Sequence, residues 1–534
     1  MLRSLLMISE NSATKDLLTI PEASRWATAF LQKPVSNSNI SYLIQYALIK
    51  KRDANGAPAV SLAELKDYYE QNQKYTENKW KDERLNWALS FSNCTEAETT
   101  KHVHRLHPYK GKFIPQLVEY FLDMHTDAFK KESYFKAGDI VLDPFCGSGT
   151  TLVQANELGL HAVGIDVSLF NTLIANCKLA DMDMLALEQK IDYITHKLQE
   201  YYNQTMLAAF DTALQDALNA FNTHYFSAYD YKYAIRTKTI DEKTYSKQKV
   251  DEFLPTYTAL IEKYGISLET DYKSFITKWF LPSIRSELYL MRDLINAVAD
   301  AKICNVLRVI LSRTMRSCRA TTHSDLATLL EPVKTTYYCT KHYKICKPLF
   351  SITKWWSTYS KDTVKRLYQF SQLRTNTAQI CLTGDSRTID LLSALREKNE
   401  LLYNVVSAQK IRGIFSSPPY VGLIDYHEQH AYTYELFSFP RHDIQEIGPL
   451  RNGQTLDARA AYVEGIAAVL SHCKHYLADD YNVFLVANDK YNLYSHIAEK
   501  ARMRIVNRYE RPVLNRTEKA KNAYSETIFH FKEL

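Results

Sequence analysis

Residues 139–166 carry two short apolar runs separated by a helical pattern. DIVLD predicts a buried strand, TTLVQANELG predicts a helix that ends at Gly159, and HAVGID predicts a second strand. A strand, a helix and a strand at this spacing form a βαβ unit with parallel strands. The glycine-rich loop PFCGSG follows the first strand, at the sheet edge where α/β proteins bind ligands. The pattern therefore predicts an α/β fold with a ligand site at this loop.

Longer segments repeat apolar residues every three or four positions, which is typical of amphipathic helices. The clearest is DMLALEQKIDYITHKLQEYYNQTMLAAFDTALQDALNAF, and WFLPSIRSELYLMRDLINAVADAKICNVLRVILSRTMRSC continues the pattern. Residues 181–375 are therefore predicted to be mainly helical.

The first 95 residues predict a small separate module. Their pattern indicates a helix, a turn, a second helix, a short hairpin at RDANGAPAV and a helix capped by Ser61. This order resembles winged helix-turn-helix modules of the excisionase type, with VSNSNISYLIQYALIKK as the recognition helix. A helical dimerisation or packing module is the alternative.

The composition is that of a globular protein, with 46% apolar and 24% charged residues among 534. That length predicts two to four domains. No stretch reaches the roughly 18 apolar residues of a membrane helix, and the apolar start is too short for a signal peptide. Nine scattered cysteines argue against a disulfide framework and favour a reducing compartment. We therefore expect a cytoplasmic protein with no membrane partner.

The positive charge of the chain is concentrated in one segment. Residues 301–370 contain thirteen Lys and Arg against three acidic residues, a net charge of +10, whereas the whole chain has only +6. Aromatic rings alternate with cations in SITKWWSTYSKDTVKRLYQF, as they do on surfaces that stack bases. The segment predicts a polyanion partner, and a solvated basic surface is the alternative.

Five of the fourteen glycines lie within residues 138–164. Gly147 and Gly149 permit close approach of the backbone to a ligand. Thr150 or Thr151 is predicted to cap the helix that follows. This loop fits a cofactor that contains a nucleoside.

Two carboxylates flank the same loop. Asp166 ends the second strand, where it can hold two ribose hydroxyls. Asp143 precedes the loop, and no GxxxxGK[ST] phosphate loop occurs in the chain. A positively charged amino-acid end of the cofactor therefore fits this loop better than a pyrophosphate.

Three motifs together, DPFCGSGTT, GIDVS and SSPPY, resemble the S-adenosylmethionine-dependent DNA amino-methyltransferases, which modify cytosine N4 or adenine N6. HPYKGKFIPQL resembles the family's other cofactor motif, and ICLTGDSRTI resembles the strand whose acidic end approaches the cofactor's adenine. The resemblance covers roughly residues 107–180 and 375–534. It implies a Rossmann-like fold with a seven-stranded, mostly parallel sheet, S-adenosyl-L-methionine as cofactor, and double-stranded DNA whose target base is flipped out.

The resemblance also assigns individual residues. It implies a catalytic loop of Ser417, Pro418, Pro419 and Tyr420. The implied cofactor-binding residues are Tyr109, Phe113, Asp143, Phe145, Gly147, Gly149, Thr150, Asp166, Asp385 and Ser386.

The residue types of SSPPY suit methyl transfer to an exocyclic amine, whose lone pair is delocalised into the ring. Ser417 and the carbonyl of Pro418 can accept hydrogen bonds from both N–H groups, which makes the nitrogen more tetrahedral. Pro419 stiffens the loop, and Tyr420 can stack on the extruded base, a contact worth about 1–3 kcal/mol. Transfer is then a direct displacement that depends on positioning and electrostatics. The alternative is a rigid strand-to-loop turn without chemistry.

Serine at position 417 favours cytosine N4 in this family, and adenine N6 is the alternative. A C5-cytosine methyltransferase needs a cysteine nucleophile, commonly after a proline, and no Pro-Cys pair occurs. Cys146 is therefore read as a packing residue. Rivals of other classes are a DNA-binding regulator on the same scaffold and an RNA or protein methyltransferase.

The motif order divides the chain into four predicted segments. They are an N-terminal module at 1–95, a first methyltransferase part at 96–180, a DNA-binding and target-recognition insertion at 181–375, and a second methyltransferase part at 376–534. A cognate restriction endonuclease is an expected companion, and the sequence predicts no oligomeric state.

The stretch RIVNRYERPVLNRTEKAKNAYSETIFHF predicts a closing β-hairpin. Its loop is expected to overhang the active site. Arg516, Lys519 and Lys521 in that loop are candidate phosphate contacts.

Within the insertion, CTKHYKICKP brings Cys339, His342 and Cys346 to a spacing close to that of structural zinc sites. Cys318 is the candidate for a fourth ligand, and His323 has less support. Because no CxxC pair occurs here and such residues often only pack, we assign no metal to the chain on sequence alone.

Overall fold

The computed structural model describes residues 16–31, 35–46, 48–54, 56–77, 85–109, 111–227, 229–325, 329–513 and 524–534. These residues belong to two compact units. One comprises Met1–Glu83, Met206–Ser267 and Ala320–Pro348, and the other comprises Arg84–Thr205, Leu268–Arg319 and Leu349–Leu534. The four predicted segments divide the chain by motif and composition, and they stay a prediction. Among the described residues, no helix has the length and apolarity needed to cross a membrane.

The described residues contain twelve strands. They are β1 (Leu17–Thr19), β2 (Arg52–Ala54), β3 (Ala57–Ser61), β4 (Ile140–Asp143), β5 (His161–Asp166), β6 (Tyr337–Cys339), β7 (Lys344–Cys346), β8 (Gln379–Thr383), β9 (Ile411–Ser416), β10 (Leu477–Ala487), β11 (Met503–Pro512) and β12 (Ser525–Glu533).

The helices of the first unit are Ile20–Leu31, Asn37–Gln45, Leu62–Glu77, Leu207–Tyr225, Asp230–Arg236 and Glu242–Tyr264. The helices of the second unit are Glu96–Thr99, Pro115–Leu122, Thr150–Glu157, Leu169–Leu179, Met184–Asn203, Phe275–Trp279, Pro282–Asn296, Ala301–Ser317, Thr353–Ser371, Leu391–Lys398, Glu400–Gln409, Ala431–Phe437, Leu456–Cys473 and Tyr494–Lys500. The prediction that residues 181–375 are mainly helical agrees with these bounds.

The second unit is built on a seven-stranded sheet with the order β11-β12-β10-β9-β4-β5-β8. Strands β10, β9, β4, β5 and β8 pair in parallel, and β12 runs antiparallel to both β10 and β11. The predicted Rossmann-like, mostly parallel sheet of seven strands is confirmed. All four residues of β4 are buried, as expected for a central parallel strand that is covered on both faces.

Alternate residues of the central strands pack on opposite faces of the sheet. Leu142 and Ile414 belong to a core that also contains Ile466 of the helix Leu456–Cys473. Phe415 points to the other face, where its ring centroid lies 5.7 Å from that of Phe121. Both faces are therefore dry, and polar groups of this region are confined to the strand ends.

The N-terminal elements of the first unit follow the predicted order of helix, helix, hairpin and helix. β1, β3 and β2 form a small antiparallel sheet in that order. The helix Asn37–Gln45 begins with a capping box, in which Ser36 accepts from the Asn39 backbone N–H and Asn39 accepts in return. Ile40, Leu43 and Ile44 of this helix are buried, so its opposite face is presented outward.

The basic and aromatic pattern of residues 353–370 is partly internal. On the helix Thr353–Ser371, Trp356 and Phe370 are buried, so they pack in the core and do not form a stacking surface. Arg313 donates to Asp362 at 2.6 Å and is itself only 8% exposed. The cationic and aromatic side chains of this helix that remain exposed are Lys354, Lys361, Lys365 and Tyr368.

Gly413 of β9 provides a test of sheet packing. A Cβ at this position would lie 2.2 Å from the carbonyl oxygen of Asn482 in β10 and 3.1 Å from the Phe135 ring. Because β10 cannot retreat without losing its pairing to β9, we expect Gly413→Ala to lower the free energy of unfolding by about 2–3 kcal/mol, a typical overpacking cost. Urea denaturation measures it.

Gly265→Ala is the matched control. Gly265 ends a helix with a φ of 62°, and no heavy atom lies within 4 Å of an added Cβ. Only the left-handed backbone opposes that change, at a cost of about 1 kcal/mol. Equal losses in the two variants would contradict the steric explanation for Gly413.

Candidate active site

Four parallel strands end at one edge of the sheet, and each is followed by a predicted site residue. β4 leads into the loop 144–149, β5 ends at Asp166, β8 is followed by Asp385, and β9 by Ser417. The strand order reverses between β4 and β9, because the chain places β5 and β8 on one side and β9 and β10 on the other. Open α/β sheets bind ligands at such a switch point.

A pocket lies at this edge. It encloses about 780 Å³ of empty space, its open side included. The predicted residues that line it are Tyr109, Phe113, Phe145, Gly147, Thr150, Asp166, Asp385, Ser386, Ser417 and Pro419. The predicted residues that do not line it are Asp143, Gly149, Pro418 and Tyr420.

The glycine-rich loop packs too closely for side chains at two positions. A Cβ on Gly147 would lie 2.8 Å from the Tyr109 hydroxyl oxygen, and one on Gly149 would lie 2.8 Å from the Cβ of Ala175. Gly149 also has a φ of 77° and is itself the N-cap of the helix Thr150–Glu157. The expectation that Thr150 or Thr151 caps this helix was therefore wrong, because both threonines already lie within its first turn.

Asp166 ties the end of β5 to the loop. Its carboxylate accepts from the backbone N–H of Gly147 at 2.8 Å, from that of Ser168 at 2.9 Å and from Asn171 Nδ2 at 3.1 Å. Burial nevertheless raises the pKa of Asp166 to about 6. A carboxylate offers about four acceptor positions, so three donors leave room for one more from the pocket.

Asp143 ties β4 to β9. Its carboxylate is 1% exposed and accepts from Ser416 Oγ at 2.5 Å and from the Phe145 backbone N–H at 3.2 Å. Burial raises the pKa of Asp143 to about 6, and the bond from Ser416 opposes that rise. Asp143 thus holds the loop in place from beneath the pocket.

The residues after β8 close another side of the pocket. Arg387 binds both carboxylate oxygens of Asp385, with Nε at 2.9 and 3.0 Å and Nη2 at 2.6 Å. Burial would raise the pKa of Asp385, but the bonds from Arg387 outweigh it and the pKa is lowered. Ser386 donates to the carbonyl of Pro144 at 2.6 Å, which links this turn to the glycine-rich loop.

The loop after β9 presents one polar side chain to the pocket. Ser417 Oγ donates its proton to the carbonyl of Val486 in the neighbouring strand β10, at 3.1 Å. Pro418 is buried. The Tyr420 ring packs against the hydrophobic core, and its hydroxyl donates to Glu526 at 2.9 Å. The hydrogen bond to Val486 uses the proton of Ser417, so the lone pairs of its oxygen remain free to accept a hydrogen bond.

Aromatic rings form the wall opposite the strands. The rings of Tyr109 and Tyr426 are nearly parallel, with centroids 6.1 Å apart and an interplanar angle of 22°. The Phe113 ring meets the Phe415 ring edge to face at 5.5 Å. This wall gives the pocket a flat apolar surface beside its carboxylates.

Several pocket residues were missed by the sequence analysis. They are Lys112, Tyr426, Gln445, Glu446 and Ile447. Burial lowers the pKa of Lys112 to about 8, and its Nζ donates to the carbonyl of His104 at 2.5 Å. Lys112 lies inside the HPYKGKF motif and could have been predicted from it. The others come from an irregular stretch after SSPPY, which has no periodicity to mark it.

Buried hydrogen bonds between His427 and Glu446 hold this stretch in position. Glu446 accepts from the ring of His427 at 2.6 Å and from its backbone N–H at 2.9 Å, and Arg451 lies 3.2 Å from its second oxygen.

The candidate phosphate contacts Arg516, Lys519 and Lys521 lie outside the described residues.

Removal of the hydroxyl of Ser416 tests the link between β4 and β9. We expect Ser416→Ala to lower the free energy of unfolding by about 1–3 kcal/mol at pH 8, because it withdraws a donor from a buried carboxylate. The loss should shrink at pH 5, below the pKa of about 6 of Asp143, where the carboxyl is largely protonated. Urea denaturation at both pH values measures it.

Ser371→Ala is the control for that experiment, since Ser371 is exposed at the end of its helix. It should cost little at either pH. A loss in Ser416→Ala that is the same at pH 5 and pH 8 would contradict the link to the ionised carboxylate.

Comparisons with known proteins show which family the chain belongs to. Residues 23–176 match the family model described as DNA methylase. The chain is 43% identical over 527 residues to the type II methyltransferase M.MjaII of Methanocaldococcus jannaschii, covering 97% of each chain.

Shorter matches involve two further relatives. The type II methyltransferase M.MvaI of Kocuria varians is 30% identical over 115 residues, covering 22% of this chain and 23% of its own. M.BsoBI of Geobacillus stearothermophilus is 26% identical over 151 residues, covering 27% of this chain and 28% of its own. The full-length similarity to M.MjaII, over a chain whose strand ends assemble this pocket, shows that the protein belongs to the type II DNA amino-methyltransferases of restriction–modification systems, which use S-adenosylmethionine as methyl donor.

Proposed function

We propose that the protein transfers a methyl group from S-adenosylmethionine to the exocyclic N4 amine of cytosine in double-stranded DNA. The observation that supports transfer to an exocyclic amine is the orientation of Ser417, and the choice of cytosine rests on the serine itself, which favours cytosine N4 in this family. Its hydroxyl proton is directed to the carbonyl of Val486, so its oxygen faces the pocket as a hydrogen-bond acceptor. An amine N–H is the donor that such an oxygen suits.

Two acceptors act on the amine. Ser417 takes one N–H and the backbone carbonyl of Pro418 takes the other, which draws the nitrogen lone pair out of the ring. The transfer is a direct displacement, in which the amine nitrogen bonds to the methyl carbon as the carbon–sulfur bond breaks. The protein contributes positioning and electrostatics. Ser417 in place of Asp or Asn is the feature of this family that favours cytosine.

Pro419 and Tyr420 shape the base site. Pro419 lines the pocket, and its fixed φ restricts the loop. The hydroxyl of Tyr420 is held by Glu526, which fixes the position of its ring next to the pocket-lining Pro419, where a base flipped out of the duplex would enter. Tyr420 is proposed as the stacking partner.

The pocket residues fit the methyl donor. The amino-acid end and the sulfonium carry positive charge, and two buried carboxyls, Asp143 and Asp166, lie at this edge. The spare acceptor of Asp166 suits a ribose hydroxyl, and Asp385 with Ser386 borders the place for the adenine. The remaining residues proposed to hold the cofactor through their rings or backbone are Tyr109, Phe113, Phe145, Gly147, Gly149 and Thr150.

Two regions are proposed to contact DNA. One is the basic segment 301–370, whose net charge of +10 suits phosphates. The other is the helix Asn37–Gln45, whose exposed residues are Asn37, Ser38, Asn39, Ser41, Tyr42 and Gln45. Amide and hydroxyl side chains of this kind read base edges in the major groove. A cognate restriction endonuclease is the proposed companion, because the relatives are named type II methyltransferases.

The modified nucleoside decides the base. The purified chain, incubated with methyl-labelled S-adenosylmethionine and genomic duplex DNA, is expected to produce N4-methylcytosine on nucleoside mass spectrometry. Ser417→Ala should reduce the rate about a hundredfold, the cost typical of losing one preorganised hydrogen bond to the reacting group. Ser371→Ala, an exposed serine, should keep the full rate.

Each other outcome has a definite meaning. N6-methyladenine would overturn the choice of base and keep the mechanism. Label on RNA or protein alone would overturn the DNA substrate, and cofactor binding without transfer would favour the DNA-binding regulator.

Cofactor affinity should depend on pH through Asp166. A ribose hydroxyl donates more strongly to the ionised carboxylate than to the protonated group, so affinity is full above the pKa of about 6 and falls below it by at most about tenfold per pH unit. Isothermal titration of S-adenosylmethionine between pH 5 and pH 8 measures this dependence.

Asp166→Asn separates this effect from the protonation of Asp143, whose pKa is also about 6. The variant should bind the cofactor more weakly at pH 8 and lose part of the decline toward pH 5. An unchanged profile in the variant would show that Asp166 does not carry it.

A further inference from the structure

The first unit contains a cluster of two thiols and two imidazoles that methyl transfer does not use. His323, Cys339, His342 and Cys346 each offer one ligand atom, and these four atoms all lie within 4.8 Å of one another. Cys339 and Cys346 end the paired strands β6 and β7, His342 lies in the turn between them, and His323 comes from the preceding loop. The ligand atoms come from two separate stretches of chain, so the cluster does not arise from local sequence alone.

The distances within the cluster match a tetrahedral metal site. Cys339 Sγ lies 3.5 Å from Nδ1 of His342 and 3.7 Å from Nδ1 of His323, and Cys346 Sγ lies 3.7 Å from Nδ1 of His342. Zinc–sulfur bonds of about 2.3 Å and zinc–nitrogen bonds of about 2.0–2.1 Å place the sulfur and nitrogen of a tetrahedron about 3.6 Å apart. All three distances fall at that value.

We propose that His323, Cys339, His342 and Cys346 bind one zinc ion in a closed Cys2His2 site. Two thiolates and two neutral imidazoles neutralise the dication, and borderline-soft sulfur and nitrogen ligands select zinc over calcium or magnesium. Four protein ligands leave no open position, so the ion is structural and not catalytic. Cys318, the fourth ligand considered from sequence, is not among the four, and His323 takes its place.

The surroundings of the cluster suit a structural ion. A two-stranded hairpin is marginal by itself, and β6 and β7 are each only three residues long. Asn222 of the helix Leu207–Tyr225 clamps the hairpin by two hydrogen bonds of 2.9 Å to the backbone of Ile345. The ion adds a further attachment between the hairpin and the loop that carries His323, which are otherwise joined by hydrogen bonds such as that between Ser324 and Thr340.

One group near the ligands bears on the test. The Tyr337 hydroxyl lies 2.9 Å from Nδ1 of His323, the atom that would face the metal, and would turn to another partner when zinc is bound.

Metal analysis of the intact full-length chain tests the proposal. After removal of loosely bound metal at neutral pH, elemental mass spectrometry is expected to find about one zinc per chain. Cys339→Ser combined with Cys346→Ser should lose this zinc, and His323→Ala should weaken binding by at least about tenfold. Cys94→Ser, a partly exposed cysteine outside the cluster, and Tyr337→Phe should both retain it.

Cobalt substitution keeps the test valid where a variant fails to fold. Cobalt added to the wild-type chain should give the intense visible absorption of tetrahedral coordination together with a thiolate charge-transfer band, and one equivalent of zinc should abolish both. Three results would overturn the proposal. They are a chain free of zinc that binds no cobalt, an octahedral cobalt spectrum, and a Cys339–Cys346 disulfide in the native protein.

Discussion

The hydrogen bond from Ser416 to Asp143 joins the two central strands at the point where the strand order reverses. Two other walls of the pocket are attached to the loop that this bond holds. Asp166 reaches the loop through the N–H of Gly147, and Ser386 reaches it through the carbonyl of Pro144. Because the ends of three further strands are joined to one loop, a shift at Asp143 would move the proposed cofactor site and the proposed catalytic loop together.

Holding such a loop with buried carboxylates costs free energy of folding. Burial raises the pKa of both Asp143 and Asp166 to about 6, which means that the ionised forms lose part of their stability inside the protein. Backbone and hydroxyl donors offset that loss only in part. Under the proposed function, the positive charge of the sulfonium cofactor offsets that loss, so the same two carboxyls that destabilise the free protein would favour the cofactor.

Sequence reasoning recovers what local pattern determines. The strand, glycine-rich loop and second strand at 139–166 could be predicted, because a buried strand followed by a helix of that length is compatible with few folds other than a βαβ unit. The seven-stranded, mostly parallel sheet was implied by the family resemblance, whereas its strand order came from the structure. Tyr426 and Glu446 escaped because they reach the pocket from an irregular stretch, and Trp356 was misread because a ring beside cations has the same pattern in a core as on a surface.

The metal cluster shows the same limit at closer range. Cys339, His342 and Cys346 are neighbours in sequence and were seen together. The fourth ligand comes from a loop sixteen residues before Cys339, and only the folded hairpin brings His323 to it. Cys318 was the more obvious candidate by residue type. The fourth ligand is instead the residue that the folded chain brings close to the other three, and the spacing of residues in the sequence does not show which residue that is.

The role of Ser417 separates two questions that the motif joins. Cytosine N4 and adenine N6 are both exocyclic amines with two N–H donors and a delocalised lone pair. An oxygen whose proton is committed to Val486 accepts from either amine in the same way. In the proposed mechanism, the acceptor oxygen of Ser417 accounts for methylation of an exocyclic amine, and the preference for cytosine rests on the association of serine at this position with cytosine N4 in the family. The space around the ring is a second determinant of the base, and Pro419 and Tyr426 line that space.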